Sequence, residues 1–246
     1  MERGDMNAMN HREQRIFRAD GRTLIVAMDH SAVEELPGLE DPVGIIERTV
    51  PEGADAFLLP FGSARLAEEA VGARGLILTV NSRDDYEEVA VEEALRLGAD
   101  AVKFFIMPDL ADGGAVRNRM FRFGAVCARW RLPFLVEIVP SQPYPADVLG
   151  KKLAAWSRVA VEAGATFLKV PYTGDASSFH YLVDAAHVPV VILGGDPKRG
   201  LEAVLGELAE AIRAGAAGAA LGRVVWSSPD GREVVRAASG IIHGTA

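Results

Sequence analysis

The sequence feature that most constrains the fold is a short passage that occurs four times along the chain. In each copy, a glycine and one or more small or polar residues are followed at once by a run of apolar residues. Glycine accepts the left-handed conformation that commonly ends a helix, and a continuous apolar run is typical of a strand buried on both faces. Each copy therefore predicts that a helix ends and a buried strand begins. The predicted strands are Ala56–Leu59, Ala101–Phe105, Phe167–Val170 and Ala219–Leu221.

Four more apolar runs predict strands without this passage before them. Two of these runs follow Pro133 and Pro189, and proline breaks a preceding helix. Between the strands, apolar residues return at intervals of three and four, which predicts amphipathic helices. The additional strands are Leu24–Met28, Leu76–Val80, Phe134–Ile138 and Val190–Leu193. The helical patterns are Tyr86–Leu97, Val116–Arg131, Leu149–Ala163, Ser177–Ala186 and Gly200–Ala214.

Eight strands that alternate with helices in a chain of 246 residues predict a (β/α)8 TIM barrel of the α/β class rather than an open sheet. No composition shift or linker divides the sequence. We therefore expect one domain over residues 1–246, of which residues 1–20 are a polar N-terminal lead-in.

Composition and charge exclude several classes of partner. The net charge of −8, with no stripe of basic residues, argues against nucleic acid. The single cysteine, Cys127, excludes an internal disulfide and fits a reducing compartment. The N-terminus carries charges where a signal peptide needs an apolar core, and no apolar run has membrane-spanning length. The sequence therefore predicts a cytoplasmic protein with no membrane partner.

The predicted barrel places its chemistry at the carboxyl ends of the strands, where such barrels carry their active sites. Several polar or glycine-rich groups occur at these ends, and the ionisable side chains of Asp29, Lys103, Glu137 and Lys169 are more than packing alone requires. The full set of groups is Asp29, His30, Asn81, Lys103, Glu137, Lys169, the Gly194–Asp196 stretch and the Gly222–Arg223 pair.

Lys169 is the strongest candidate for a nucleophile. It lies in the apolar run Phe167–Val170, where an ammonium group needs a partner, an outlet to solvent or a chemical role. A desolvated lysine attacks carbonyl carbons to form a Schiff base, and a second cation nearby, such as Lys103, favours the uncharged amine. The alternative is a structural lysine that reaches the barrel rim or pairs with Asp29 or Glu137.

The other ionisable candidates also have two interpretations. Glu137 is flanked by apolar residues, so it is either a buried partner of Lys103 or a group that transfers protons. Asp29 is either a helix cap or a residue of the site, and we favour the site. His30 stays open between a structural and a chemical role. The remaining histidines have no partners at metal-ligand spacing, so no metal site is predicted.

The glycine-bearing ends of the seventh and eighth strands predict a phosphate site. Loops at these two positions commonly hold phosphate in such barrels, because glycine exposes backbone amides and an arginine adds charge. The candidates are Gly194, Gly195, Gly222 and Arg223, although each pair taken alone is also compatible with an ordinary turn.

In their order along the chain, these segments resemble the class I (Schiff-base) aldolases of the archaeal-type fructose-bisphosphate and tagatose-bisphosphate group. The resemblance covers nearly the whole sequence and rests on Arg15–His30, Leu168–Asp175, Gly194–Gly195 and Gly222–Arg223. It implies that Lys169 forms the Schiff base, that Asp29 lines the site and that the two glycine loops hold a substrate phosphate. It also implies a homo-oligomer.

Two positions depart from the archaeal-type pattern. A tyrosine is expected before the proline after the fifth strand, but this chain has Val139 before Pro140. Val224 stands where the Gly-Arg pair is usually followed by asparagine. The surroundings of Lys103 and Glu137 instead resemble the tagatose-type branch, in which the glutamate transfers the proton.

The resemblance implies an aldolase that cleaves or forms a carbon–carbon bond in a phosphorylated ketose, without metal or organic cofactor. The expected product is similar to dihydroxyacetone phosphate, and Glu137 is the expected base for the substrate hydroxyl, with Asp29 orienting hydroxyls. The loops Met107–Gly114 and Ser141–Pro145 are expected to shape the other end of the substrate. The alternatives are a biosynthetic enzyme of condensation or transaldol transfer, and a ligand-binding barrel without turnover.

Overall fold

Eight parallel strands close into a barrel in which each strand pairs with the next and β8 pairs with β1. The computed structural model of the chain describes residues 10–32, 37–80, 86–110, 113–194 and 199–244. This architecture confirms the predicted (β/α)8 barrel. The strands are β1 (Thr23–Ala27), β2 (Ala56–Leu59), β3 (Gly75–Thr79), β4 (Ala101–Ile106), β5 (Phe134–Ile138), β6 (Phe167–Val170), β7 (Val190–Leu193) and β8 (Gly218–Leu221).

Helices lie between and after the strands. Each of the five predicted helices begins and ends within three residues of its predicted bounds. Short helical segments before β1, after β2 and after β8 were not predicted, nor were the helices at residues 42–49 and 231–243. The helices are α1 (Glu13–Ile16), α2 (Pro42–Thr49), α3 (Phe61–Leu66), α4 (Glu68–Val71), α5 (Glu87–Arg96), α6 (Gly113–Trp130), α7 (Ala146–Glu162), α8 (Ala176–Ala186), α9 (Leu201–Arg213), α10 (Arg223–Trp226) and α11 (Gly231–His243). None of those described has the length and apolar character needed to cross a bilayer.

Side chains alternate between the inner and outer faces of each strand, which gives the barrel two hydrophobic cores. Every second strand residue faces inward, as at Ile25, Leu58 and Leu135, and these side chains fill the barrel interior. The residues between them face outward and pack against the helices. Because the strand period is two, positions 103, 105, 137 and 169 belong to the inward-facing set.

The polar lead-in contains the structure that closes the amino-terminal end of the barrel. Ile16 and Phe17 are buried and pack with the interior core, and the Phe17 ring meets Phe167 edge-to-face at 5.4 Å. The sequence predicts this stretch only as a polar lead-in. The two apolar residues were too few for a periodicity argument.

The closure of the barrel explains why β8 begins one residue earlier than predicted, at Gly218. This glycine has φ of +139°, and a Cβ atom there would lie 1.9 Å from the Thr23 carbonyl oxygen. Only glycine allows β8 to approach β1 so closely.

The residue that ends the recurring passage holds the neighbouring strand in register. Asp55 accepts the Leu24 N–H at 2.7 Å, and Asp100 accepts the Leu76 N–H at 3.0 Å. In a third copy, the Thr166 hydroxyl accepts the Phe134 N–H at 3.1 Å. Each bond satisfies a backbone donor at the start of a strand. The repeated passage therefore pairs strands as well as ending helices.

We predict that Asp100→Ala lowers the free energy of unfolding by about 1–3 kcal/mol, because it leaves a buried backbone N–H without an acceptor. Urea denaturation measures this change. Glu92→Ala, on the exposed face of α5, is the control and should change stability by less than about 0.5 kcal/mol. Equal effects of the two substitutions would contradict the role of Asp100.

Candidate active site

Strand register brings three ionisable side chains to the carboxyl end of the barrel interior. Glu137 in β5 and Lys169 in β6 are direct partners in the ladder, and Lys103 in β4 pairs with Leu135, two residues before Glu137. Asp29 follows β1 in a short 3₁₀ turn, Asp29–Ala32. All four side chains are buried. We call them the ionic quartet: Asp29, Lys103, Glu137 and Lys169.

The ionic quartet forms a continuous chain of contacts. Lys169 Nζ lies 2.8 Å from Glu137 Oε1, and Lys103 Nζ lies 2.9 Å from Glu137 Oε2. Lys103 Nζ also lies 2.6 Å from Asp29 Oδ2. Two positive and two negative groups therefore alternate, which offsets the cost of burying each charge. Both carboxylate oxygens of Glu137 have an ammonium partner.

The pKa values of Asp29, Glu137 and Lys103 follow from this alternation. Burial raises the pKa of Asp29, but the charges of Lys103 and Lys169 lower it by more, to about 2. Burial also raises the pKa of Glu137, and the same two lysines lower it below its ordinary value. Burial lowers the pKa of Lys103, whereas Glu137 and Asp29 raise it above its ordinary value. Each charged form is thus held by its neighbours.

A cavity of about 470 Å³ opens at this end of the barrel, and the quartet lines it. The predicted residues His30, Gly194, Gly222 and Arg223 also line this cavity. The structure therefore brings together the predicted catalytic and phosphate-binding groups. Gly195 and Asn81 lie outside the described residues.

The glycines of the predicted phosphate loops also have a packing role. A Cβ atom on Gly194 would lie 3.0 Å from Leu221 Cα, and one on Gly222 would lie 3.0 Å from the Ala27 carbonyl oxygen. Glycine at these positions lets the ends of β7, β8 and β1 approach one another. The close approach of these strand ends is enough to require glycine at both positions. The two glycines alone are therefore not evidence for a phosphate site.

Three apolar residues line the cavity at the ends of β4 and β5, and of these only Phe105 was not singled out from the sequence. Phe105, Met107 and Val139 form a wall at the ends of β4 and β5. Each lies two or four residues beyond Lys103 or Glu137. Since side chains on one face of a strand recur at every second residue, this spacing places all three on the same inner face and is the sequence signal that identifies them. In the closed strand order, β4 lies across the barrel from β8. The apolar wall therefore faces the side that carries Arg223.

The loops after β4 and β5 are joined at the edge of the cavity. Asp109 accepts hydrogen bonds from the Ser141 N–H and the Tyr144 hydroxyl, both at 2.9 Å. These residues belong to the two loops that the sequence predicts to shape one end of the substrate.

A closed barrel with a buried lysine and carboxylates at its carboxyl end has the arrangement of a lysine-dependent enzyme of carbonyl substrates. The chain belongs to the DeoC/LacD family of aldolases, whose model matches residues 16–228. The resemblance to class I aldolases of the archaeal type is thereby confirmed.

Similarity to individual proteins extends over most of the chain. The chain is 32% identical to a 2-amino-3,7-dideoxy-D-threo-hept-6-ulosonate synthase of Halobacterium salinarum, and the alignment covers 92% of this chain and 89% of the relative. It is 29% identical to a class 1 fructose-bisphosphate aldolase of Thermoproteus tenax, covering 94% and 93%. A solved archaeal fructose-1,6-bisphosphate aldolase, with its catalytic lysine bound to the carbinolamine intermediate, has 27% identity and a TM-score of 0.81 over 95% of this chain and 98% of that one.

The low pKa of Asp29 predicts how its contribution to stability depends on pH. Its pKa is about 2 in the folded chain against an ordinary 3.8, so the unfolded chain binds this proton more readily. A stabilisation on the order of 2 kcal/mol, present above about pH 4, should be lost as the pH falls towards about 2. Asn at this position cannot titrate.

Urea denaturation of the natural chain and of Asp29→Asn at several pH values measures this effect. The difference in unfolding free energy between the two proteins should shrink as the pH falls. A difference that stays constant between about pH 5 and pH 3 would show that Asp29 is not held in its charged form by the lysines.

Proposed function

We propose that this chain is a metal-independent class I aldolase that cleaves or forms a carbon–carbon bond in a phosphorylated ketose through a Schiff base on Lys169. The observation that carries the proposal is the position of Lys169, which is only 3% exposed yet lines the cavity beside Glu137. A buried amine that a ligand reaches and that has a carboxylate at hydrogen-bond distance suits nucleophilic attack on a carbonyl carbon.

The first steps of the reaction use Lys169 and Glu137. The amine attacks the ketone carbon to give a carbinolamine, which loses water to give an iminium. Glu137 Oε1, 2.8 Å from Lys169 Nζ, takes the proton that the nitrogen loses on attack and returns it to the carbinolamine hydroxyl, which leaves as water. Glu137 is then a carboxylate again and stabilises the iminium charge. The iminium accepts the electron pair of the carbon–carbon bond when that bond breaks. The resulting enamine is protonated and hydrolysed, which regenerates Lys169.

Lys103 acts on this chemistry through the two carboxylates. It lies between Glu137 and Asp29, at 2.9 and 2.6 Å. Its charge favours the carboxylate form of both groups, so Glu137 is charged before it takes the proton from Lys169 and becomes charged again once it has released that proton. Without Lys103, two carboxylates would be buried near an uncharged amine, which is unfavourable.

The substrate phosphate is assigned to the side of the cavity formed by Gly194, Gly222 and Arg223. Two features support this assignment: these three residues line the same cavity as Lys169, and the loops after the seventh and eighth strands commonly bind phosphate in such barrels. A phosphate there places the three-carbon, dihydroxyacetone-phosphate-like part of the substrate between Arg223 and Lys169. The aldehyde part then extends towards the apolar wall.

A synthase that joins the three-carbon enamine to a different aldehyde is the second candidate. Val139 favours it, since this position lacks the tyrosine expected for archaeal-type fructose-bisphosphate cleavage, and the relative from Halobacterium salinarum is a synthase. Condensation of dihydroxyacetone phosphate with a panel of aldehydes separates the two functions. Glyceraldehyde 3-phosphate as the preferred acceptor supports the sugar aldolase, whereas another aldehyde supports the synthase.

We predict that Lys169→Ala abolishes covalent trapping of dihydroxyacetone phosphate by borohydride, because no other amine occupies its position. Intact-protein mass spectrometry detects the reduced adduct. Lys151→Ala, at an exposed position of α7, should trap as the natural chain does. Trapping that survives Lys169→Ala would contradict the assignment of the nucleophile.

We predict that Glu137→Gln lowers turnover by about 10²–10⁴-fold, because the amide cannot accept a proton from Lys169. Trapping by borohydride should become slower but remain detectable, since the nucleophile is still present. Steady-state kinetics and the time course of trapping measure the two effects. An unchanged turnover number would remove Glu137 from proton transfer.

A further inference from the structure

Two buried polar atoms at the end of β1 lack a partner within the part of the chain that the structure describes. Asp29 Oδ1 and His30 Nδ1 are both buried and make no hydrogen bond there. The other oxygen of Asp29 is bonded to Lys103. Buried polar groups are rarely left unpaired, because removing them from water without a new partner is costly. This pair therefore indicates a place that a ligand group completes.

The spacing of the two atoms fits one shared oxygen. Asp29 Oδ1 and His30 Nδ1 lie 3.9 Å apart, which is too far for a direct hydrogen bond. An oxygen about 2.8 Å from each atom would make an angle of about 90° between them, close to what a hydroxyl accepts. A hydroxyl that donates to Asp29 Oδ1 and accepts from His30 Nδ1–H satisfies both atoms at once.

The imidazole lies at the cavity, beside the Trp226 ring. His30 lines the same cavity as Lys169, and its ring lies 6.4 Å from the Trp226 ring, centroid to centroid. Trp226 is itself fixed, since its indole N–H donates to the Ala27 carbonyl oxygen at 3.0 Å. The end of β1 thus supports both the carboxylate and the imidazole.

We propose that Asp29 and His30 together bind the substrate hydroxyl that becomes the aldehyde oxygen on cleavage, with Asp29 Oδ1 as proton acceptor and His30 Nδ1–H as the hydrogen-bond donor to the oxygen. This inference rests on the proposed Schiff-base function. It makes His30 a catalytic residue that touches the reacting oxygen. It also assigns the hydroxyl proton to Asp29 instead of Glu137, which is the base expected from the sequence. The reason is that both oxygens of Glu137 already accept hydrogen bonds from lysines.

The cleavage step balances with these groups alone. The hydroxyl O–H bond breaks and its proton passes to Asp29 Oδ1, while the O–H electron pair becomes the second bond of the aldehyde carbonyl. The carbon–carbon bond breaks, and its pair forms the enamine double bond as the iminium nitrogen takes up the former C=N pair. His30 stabilises the negative charge that develops on the oxygen. Condensation runs the same steps in reverse.

Three variants test this role in the full-length protein. His30→Leu removes the donor, whereas His30→Asn places an amide N–H close to the position of Nδ1. His187→Asn is the control, because His187 lies at the end of α8, is exposed and has φ of +59°, a conformation that Asn accepts. The two readouts are the rate of borohydride trapping of dihydroxyacetone phosphate on Lys169, and the rate of its condensation with the aldehyde that the natural chain uses fastest.

We expect His30→Leu to trap at the rate of the natural chain but to condense about 100-fold more slowly. His30→Asn should condense within about tenfold of the natural chain, since one hydrogen-bond donor is retained. Unchanged condensation by His30→Leu would overturn the inference. So would an equal loss of trapping and condensation, which indicates a structural effect, or a His30→Asn rate as low as that of His30→Leu.

Failure of the proposed function gives a different result. In that case the natural chain either forms no adduct on Lys169 or condenses dihydroxyacetone phosphate with none of the aldehydes, and both findings are independent of His30. If the adduct forms and condensation proceeds, the comparison of the two His30 variants decides the inference by itself.

Discussion

The two lysine contacts of Glu137 are the interaction on which the active site depends. One carboxylate lies between two ammonium groups inside a barrel, and the second of these groups also holds Asp29. None of these charges could be buried alone, so the four side chains fix one another in position and in charge. The strand register that pairs Glu137 with Lys169 therefore determines the chemistry of the whole cavity.

This arrangement divides the cavity into regions with different tasks. The proposed nucleophile lies on β6 and its carboxylate partner on β5, the proposed oxygen-binding pair follows β1, and the arginine and glycines follow β7 and β8. The opposite wall is apolar. A phosphorylated ketose that extends from Arg223 to Phe105 would pass its carbonyl carbon by Lys169 and its reacting hydroxyl by Asp29 and His30.

The fold was largely predictable, because strand runs such as Phe134–Ile138 are short and apolar and follow clear helix ends. Lys169 and Glu137 were identifiable because a charged residue stands out in such a run. The closure of the barrel by Ile16 and Phe17 was not, since two apolar residues in a polar stretch have no period. The contacts of Glu137 and the unpaired atoms of Asp29 and His30 depend on three-dimensional spacing that sequence patterns do not contain. These contacts are the basis for proposing Asp29, rather than Glu137, as the base for the substrate hydroxyl.

The most direct test of the central claim is a crystal structure of the protein soaked with dihydroxyacetone phosphate. We predict continuous electron density from Lys169 Nζ to the ketone carbon, with the phosphate beside Gly194 and Arg223. A phosphate bound elsewhere would contradict only the assignment of the phosphate site. A ligand that occupies the cavity without a covalent bond, while Lys169 keeps its contact with Glu137, would contradict the Schiff-base account.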